Sequence, residues 1–203
     1  MKKIAKTISA WLLVLALSMA CVGCQYVDTE NSESVGGDQT DSYKKNIDES
    51  FATFRLPEEM PEDFRFSLIW GVYGISSYDS EIGALIKTTD AAHPENYTTT
   101  LHLSEEQMQQ IYTLIRNLDV GSYPDLYNPF PEFGSDPPYT IVLTVYDGIG
   151  SKTIACRDIA IPGEEMSTSE ESAEFISTYN AIRKILTDSE QWMALPDYET
   201  YYD

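Results

Sequence analysis

Alternation of apolar and polar positions indicates where this chain forms strands. Every second residue from Tyr139 to Val145 is apolar and most residues between them are threonine, which is the pattern of a half-buried strand. Segments 64–70, 84–88, 97–103 and 152–156 have the aromatic and β-branched composition typical of strands. Turn-forming residues at 79–83 and 147–148 join neighbouring segments as hairpins. The pattern predicts about five strands.

Two other segments repeat their apolar residues every three or four positions, as amphipathic helices do. The first follows Ser104-Glu105-Glu106-Gln107, a capping box in which Ser104 and Gln107 satisfy each other's free amides. The second follows Ser167-Thr168-Ser169, which can cap a helix start. Its apolar stripe is Phe175, Ile176, Tyr179, Ile182 and Leu186. A last turn over residues 189–195 is expected to bury Trp192.

These elements follow one another in the order β-β-β-α-β-β-α. Their connections are mostly short, and short connections favour antiparallel neighbours. The sequence therefore predicts an α+β fold, an antiparallel sheet of about five strands backed by two helices. We expect residues 51–203 to form this single domain.

The N-terminus has the composition of an export signal. Lysines at positions 2, 3 and 6 precede an apolar stretch over 8–22, which is shorter than the roughly 20 residues of a membrane-spanning helix. The end of this stretch resembles the lipobox of bacterial lipoproteins, in which a small residue precedes a cysteine that becomes acylated. Cys24 after Gly23 fits that pattern better than Cys21 after Ala20, and ordinary secretory cleavage after Ala20 is a third alternative.

The resemblance implies a signal peptide over 1–23 and a lipid anchor at Cys24, with Cys21 as the alternative. The protein would then contact the bilayer through its acylated cysteine, on the extracytoplasmic face of the cell membrane. Residues 24–50 would hold the lipidated cysteine and a flexible linker, because 25–50 contains seven acidic residues, Gly36-Gly37 and hardly any periodic apolar residues.

The charge of the chain restricts its partners. It has 33 Asp and Glu against 13 Lys and Arg, a formal net charge of -20. Such an acidic molecule repels phosphate backbones, so nucleic-acid binding is not expected. Because 42% of the residues are hydrophobic, the chain can still bury a core.

Residues able to carry chemistry are few and widely spaced. Cys156 and His102 could pair as nucleophile and base if their strands were neighbours, but the interpretation we favour is a buried thiol and a half-exposed histidine. His93 lies in a loop without a second ligand nearby, and the histidines lack the paired spacing of zinc sites. Two acidic pairs, Asp79 with Glu81 and Asp119 with Asp125, resemble calcium ligands, but no segment matches an EF-hand loop. We therefore expect no catalytic residue, metal or cofactor.

The connection from Gly121 to Pro138 is unusual because it combines five prolines with four aromatic residues. Long loops of this kind tend to be functional, and Tyr127, Phe130 and Phe133 are its candidate partner-binding residues. The alternative is that these rings fold back over the end of the sheet. The sequence leaves both interpretations open.

From 97 to about 195 the pattern of a strand, the Leu103-Ser104-Glu105-Glu106-Gln107 helix start, Tyr-led strands and a closing helix resembles small uncharacterised domains of bacterial lipoproteins. The same order is similar to emfourin-type inhibitors of thermolysin-class metalloproteases. The hypothesis we favour is a non-catalytic binding or interaction module for an envelope protein or a small ligand. The alternatives are a protease-inhibitor-like or protective partner protein and an unrecognised envelope enzyme. No inhibitory residue is transferred from the resemblance.

Replacing Cys24 with Ala tests the lipid anchor. We expect Cys24→Ala to release the protein from membranes and to abolish metabolic labelling with palmitate, because a single acylated cysteine carries the hydrocarbon that holds it there. Labelling that persists in Cys24→Ala and disappears in Cys21→Ala would instead place the lipid on Cys21. An unlabelled wild-type protein would indicate ordinary secretion.

Overall fold

A computed structural model describes residues 54–163, 166 and 169–197, all within the compact unit Glu49–Asp203. The predicted signal peptide and linker, with Cys21 and Cys24, lie outside the described residues. The strands are β1 (Arg65–Val72), β2 (Ser76–Asp79), β3 (Ala84–Ile86), β4 (Thr98–Thr100), β5 (Tyr139–Tyr146) and β6 (Ser151–Ile159). The helices are α1 (Glu105–Asn117), α2 (Glu170–Thr187) and α3 (Glu190–Ala194).

The six strands form one antiparallel sheet in the order β4-β3-β2-β1-β5-β6. The α+β class is therefore confirmed, with six strands where the sequence indicated about five. The additional strand arises because the chain reverses directly after β1, at Gly71, Tyr73 and Gly74, which all have positive φ. Glycine adopts such angles without strain, so the segment after the turn returns as β2 beside β1. The predicted last turn is the short helix α3.

One face of the sheet carries the core. The residues of β5 alternate between buried and half-buried along its whole length, which confirms the predicted strand. Phe66 and Leu68 of β1 lie in the same core as Ile154 and Cys156 of β6. On the opposite face, Ser67, Ile69, Thr140, Val142 and Thr144 remain half-buried or exposed. The fold is thus a sheet with its helices on one face.

The two long helices begin where the sequence predicts them. Ser104 accepts a hydrogen bond from the Gln107 amide at 3.2 Å, and the Gln107 side chain accepts one from the Ser104 amide at 2.9 Å. Ser169 caps α2 through a reciprocal pair with Ser172. All five residues of the predicted α2 stripe are buried. Capping and amphipathic periodicity therefore place both helices.

Buried tyrosines attach loops to this core through their hydroxyl groups. Tyr112 of α1 donates to the Pro57 carbonyl at 2.5 Å, which holds the segment preceding β1. Tyr78 of β2 donates to the Leu101 carbonyl at 3.1 Å, and burial raises the pKa of Tyr78 to about 12. These rings contribute apolar area to the core while their polar ends satisfy backbone groups.

Among the described residues no helix is both long and apolar enough to cross a bilayer.

The turn between β2 and β3 depends on Gly83. Its φ is +67°, and a β-carbon there would lie 2.9 Å from the Leu101 carbonyl oxygen, which cannot move without disturbing the β3–β4 pairing. We expect Gly83→Ala to lower the free energy of unfolding by about 1–3 kcal/mol in urea denaturation. Gly150→Ala is the matched control, since nothing lies within 4 Å of its added carbon. Equal stability of the two variants would contradict this role for Gly83.

Candidate functional site

The fold does not bring the thiol and imidazole candidates together. His102 is exposed just beyond β4, at one edge of the sheet, and Cys156 lies in β6 at the opposite edge. Five strand spacings separate those edges, roughly 24 Å of sheet. Cys156 is fully buried in the core, and burial raises the pKa of its thiol to about 12. His93 is exposed and contacts Glu95 at 3.2 Å. The structure therefore brings no base to Cys156 from either histidine.

The acidic pairs resembling calcium ligands make other contacts. Asp79 accepts a hydrogen bond from the Glu81 amide at 2.8 Å, and Glu81 forms an ion pair with Arg65 at 2.6 Å. Asp125 pairs with Lys152 at 2.6 Å. Within the described part of the chain, no group of three or more potential metal-ligating side chains occurs.

The proline-rich loop packs its aromatic rings mostly inward. Phe130 is 0% exposed, whereas Phe133 retains 43% of its surface and the neighbouring Leu126 is more exposed still. The Tyr127 ring meets Tyr123 edge-on at 5.1 Å and Phe175 of α2 at 5.3 Å. This geometry corresponds to the folded-back alternative for Tyr127 and Phe130.

The backbone of this loop also closes one edge of the sheet. The Tyr127 amide donates to the Ala155 carbonyl at 3.0 Å, and the Ala155 amide donates to the Asp125 carbonyl at 2.8 Å. This short bridge covers part of the outer edge of β6, an edge that would otherwise be free to pair with another chain. Of the three candidate partner-binding residues, Phe133 alone is exposed.

A cavity of about 560 Å³ opens at the other end of the core, between the β1–β2 turn and helices α2 and α3. Two indole rings form its apolar wall. Trp70 of β1 and Trp192 of α3 lie with ring centroids 5.6 Å apart and planes tilted by 34°, so Trp192 is partly buried against Trp70. The described residues that line this tryptophan cleft are Trp70, Gly71, Val72, Ile75, Ser76, Lys87, Tyr139, Arg183, Thr187, Trp192 and Asp197.

Lys87 brings a shielded positive charge to the cleft. Its side chain is 15% exposed, and the ammonium lies 5.5 Å from the Trp192 ring centroid, within the range of a cation–π interaction. The ammonium also donates to the Leu195 carbonyl at 3.3 Å and to the Asp197 carboxylate at 3.0 Å. The Asp197 side chain is 97% exposed. An ion pair with so exposed a partner contributes little free energy, so another anion can replace this carboxylate on Lys87.

A second positive charge comes from α2. Arg183 lies close enough to Tyr179 to influence its pKa, and the Tyr179 hydroxyl lies 2.7 Å from that of Tyr139. Burial raises the pKa of Tyr179, so its hydroxyl keeps its proton. When the Tyr179 hydroxyl donates to the Tyr139 hydroxyl, the Tyr139 O–H can donate a hydrogen bond to a ligand in the cleft. Across the residues that the structure describes, Arg183 forms no ion pair with a carboxylate.

The tryptophan cleft therefore combines an apolar wall with groups that donate hydrogen bonds. Ligand sites commonly have this composition, a largely apolar cavity with a few convergent polar groups. A second large cavity, near the start of α2, is lined by Asp119, Glu170, Glu171 and Glu174. Its acidic lining has the same sign as the net charge of the molecule and differs in this respect from the lining of the tryptophan cleft, which carries Lys87 and Arg183.

Sequence reasoning did not identify this cleft. Its lining residues come from segments near positions 70, 87, 139, 183 and 192, and no spacing links them in the chain. No local signal marks the cleft, because neither Lys87 nor Arg183 stands next to an aromatic residue in the chain. No family model, curated protein or solved structure matches the chain. The similarity to emfourin-type inhibitors stays a prediction.

Truncating the loop aromatics separates packing from binding. We expect Phe130→Ala to lower the free energy of unfolding by about 3–5 kcal/mol, because it leaves a cavity in the core. The same change at Phe133, which lies partly exposed outside the core, should cost less than about 1 kcal/mol. Urea denaturation of both variants measures the difference. If Phe133→Ala is as destabilising as Phe130→Ala, the loop packs differently from this description.

Proposed function

We propose that this protein is a non-catalytic binding module, held by a lipid anchor on the extracytoplasmic face of the cell membrane, and that the tryptophan cleft is its ligand-binding site. The anchor rests on the lipobox at Cys24, with Cys21 as the alternative. The binding role rests on one observation, the convergence of Lys87 and Arg183 on an indole-walled cavity of a molecule with net charge -20.

The chemistry of the cleft is suited to holding a ligand. Lysine and arginine side chains donate hydrogen bonds and attract anions, while the indole rings contribute apolar contact area. Cys156, the thiol of the described domain, is not among the lining residues. A cavity with an apolar wall and a few convergent donors can recognise shape and charge without requiring a reactive group.

The inhibitor-like alternative rests on the proline-rich loop. Its exposed apolar residues are Leu126 and Phe133, since Phe130 and much of Tyr127 are covered by the core. A few exposed side chains are an ordinary feature of protein surfaces. The cleft is therefore the better-supported site. Unimpaired thermolysin-class proteolysis in the presence of excess protein would remove the alternative.

Tryptophan fluorescence tests the binding role directly. The sequence contains three tryptophans, Trp11, Trp70 and Trp192, and two of them line the cleft. Trp11 lies in the predicted signal peptide and is lost when that peptide is cleaved, and Trp11→Phe removes its emission from any uncleaved protein, so all remaining tryptophan emission originates in the cleft. We expect the low-molecular-mass fraction of an envelope extract to shift or quench that emission, because a bound ligand displaces water from the indoles.

Two double variants with the same change in net charge provide the comparison. Lys87→Ala with Arg183→Ala removes both cations of the cleft and should abolish the response. Lys152→Ala with Lys184→Ala removes two cations that do not line it and should leave the response intact. An unchanged emission in every fraction, or an equal loss in both double variants, would contradict the proposed site.

A further inference from the structure

We infer that the tryptophan cleft takes a small organic acid, a carboxylate carried on a flat aromatic body. This inference rests on the proposed function and names the class of ligand.

The charges of the cleft favour an anion. Lys87 and Arg183 are its two cations, and of the described residues lining it Asp197 is the one carboxylate. Lys87 is largely shielded from solvent, so its charge is screened less than that of a surface lysine. A neutral or cationic ligand would leave this ammonium without a better partner than the exposed Asp197.

The chain itself already places a carboxylate on Lys87. The segment from Leu195 to Asp197 passes the ammonium and supplies one backbone carbonyl at 3.3 Å and one carboxylate oxygen at 3.0 Å. Because the Asp197 side chain is 97% exposed, it behaves as a weakly held counter-ion. A ligand carboxylate that also reaches Arg183 or the Tyr139 hydroxyl would make more hydrogen bonds and would replace it.

The rest of the cleft fits a flat apolar group. Trp70 and Trp192 form a tilted pair of rings, and Val72 and Ile75 extend the apolar lining. Aromatic rings pack favourably against indoles in offset or tilted arrangements. The volume of about 560 Å³ lies within the range of small-molecule sites, which leaves room for a single-ring acid.

The probe is 3-phenylpropionate, titrated into full-length protein with Trp11→Phe while indole emission is recorded. Its neutral amide and the cation phenethylamine have similar shape and a different charge. We expect saturable binding of the acid and at least tenfold weaker binding of both analogues, because hydrogen bonds to charged groups are the strong ones.

Matched variants assign the carboxylate to Lys87. We expect Lys87→Ala to weaken binding of 3-phenylpropionate by about tenfold and Lys152→Ala to leave it unchanged. Lys152 is an apt control because its side chain is also 15% exposed and also pairs with an exposed aspartate, Asp125. Asp197→Asn should tighten binding about two- to fivefold, since it removes the competing charge.

Three results would overturn the inference. Equal binding of acid and amide would show that charge is not recognised, and weaker binding in Asp197→Asn would show that Asp197 assists rather than competes. No response to the acid, while the envelope fraction still changes the emission, would exclude this ligand class and leave the binding role intact. If neither 3-phenylpropionate nor the envelope fraction changes the indole emission, the proposed function is contradicted as well.

Discussion

The pairing of β1 with β5 is the interaction on which the rest of the structure depends. It extends over eight residue pairs, from Arg65 opposite Tyr146 to Val72 opposite Tyr139, and joins segments about seventy positions apart in the chain. On one side of it lie β2, β3 and β4, and on the other side lies β6. Without this contact the sheet would be divided into the four strands β1–β4 and the β5–β6 hairpin, and an isolated two-stranded hairpin is marginally stable at best.

The register of that pairing also determines the cleft. If the two strands slipped by one residue, Trp70 and Tyr139 would lie on opposite faces of the sheet, since side chains alternate along a strand. In the observed register both reach the helix-covered face, where α2 supplies Arg183 and α3 supplies Trp192. The cavity and the core are therefore consequences of the same pairing.

Local chemistry made much of the fold predictable. The Ser104 and Gln107 capping box needs only four consecutive residues, and the stripe on α2 needs only its helical period, so both can be recognised without tertiary information. The β1–β2 turn was missed because Tyr73 and Ile75 have strand-like composition and conceal the reversal between Gly71 and Gly74. Its signal was the pair of glycines three residues apart, which permit the positive φ angles.

The sequence by itself determined the fold class, the helix starts, the acidic charge and the expectation of a lipid anchor, because each depends on composition or on neighbouring residues. The tertiary structure decided which loop aromatics are buried, since Phe130 and Phe133 stand three residues apart in the same loop and Phe130 alone of the two is covered by the core. It also decided that Lys87, Arg183 and the two tryptophans meet. Their convergence follows from strand register and helix packing, and no local pattern in the chain records those long-range contacts.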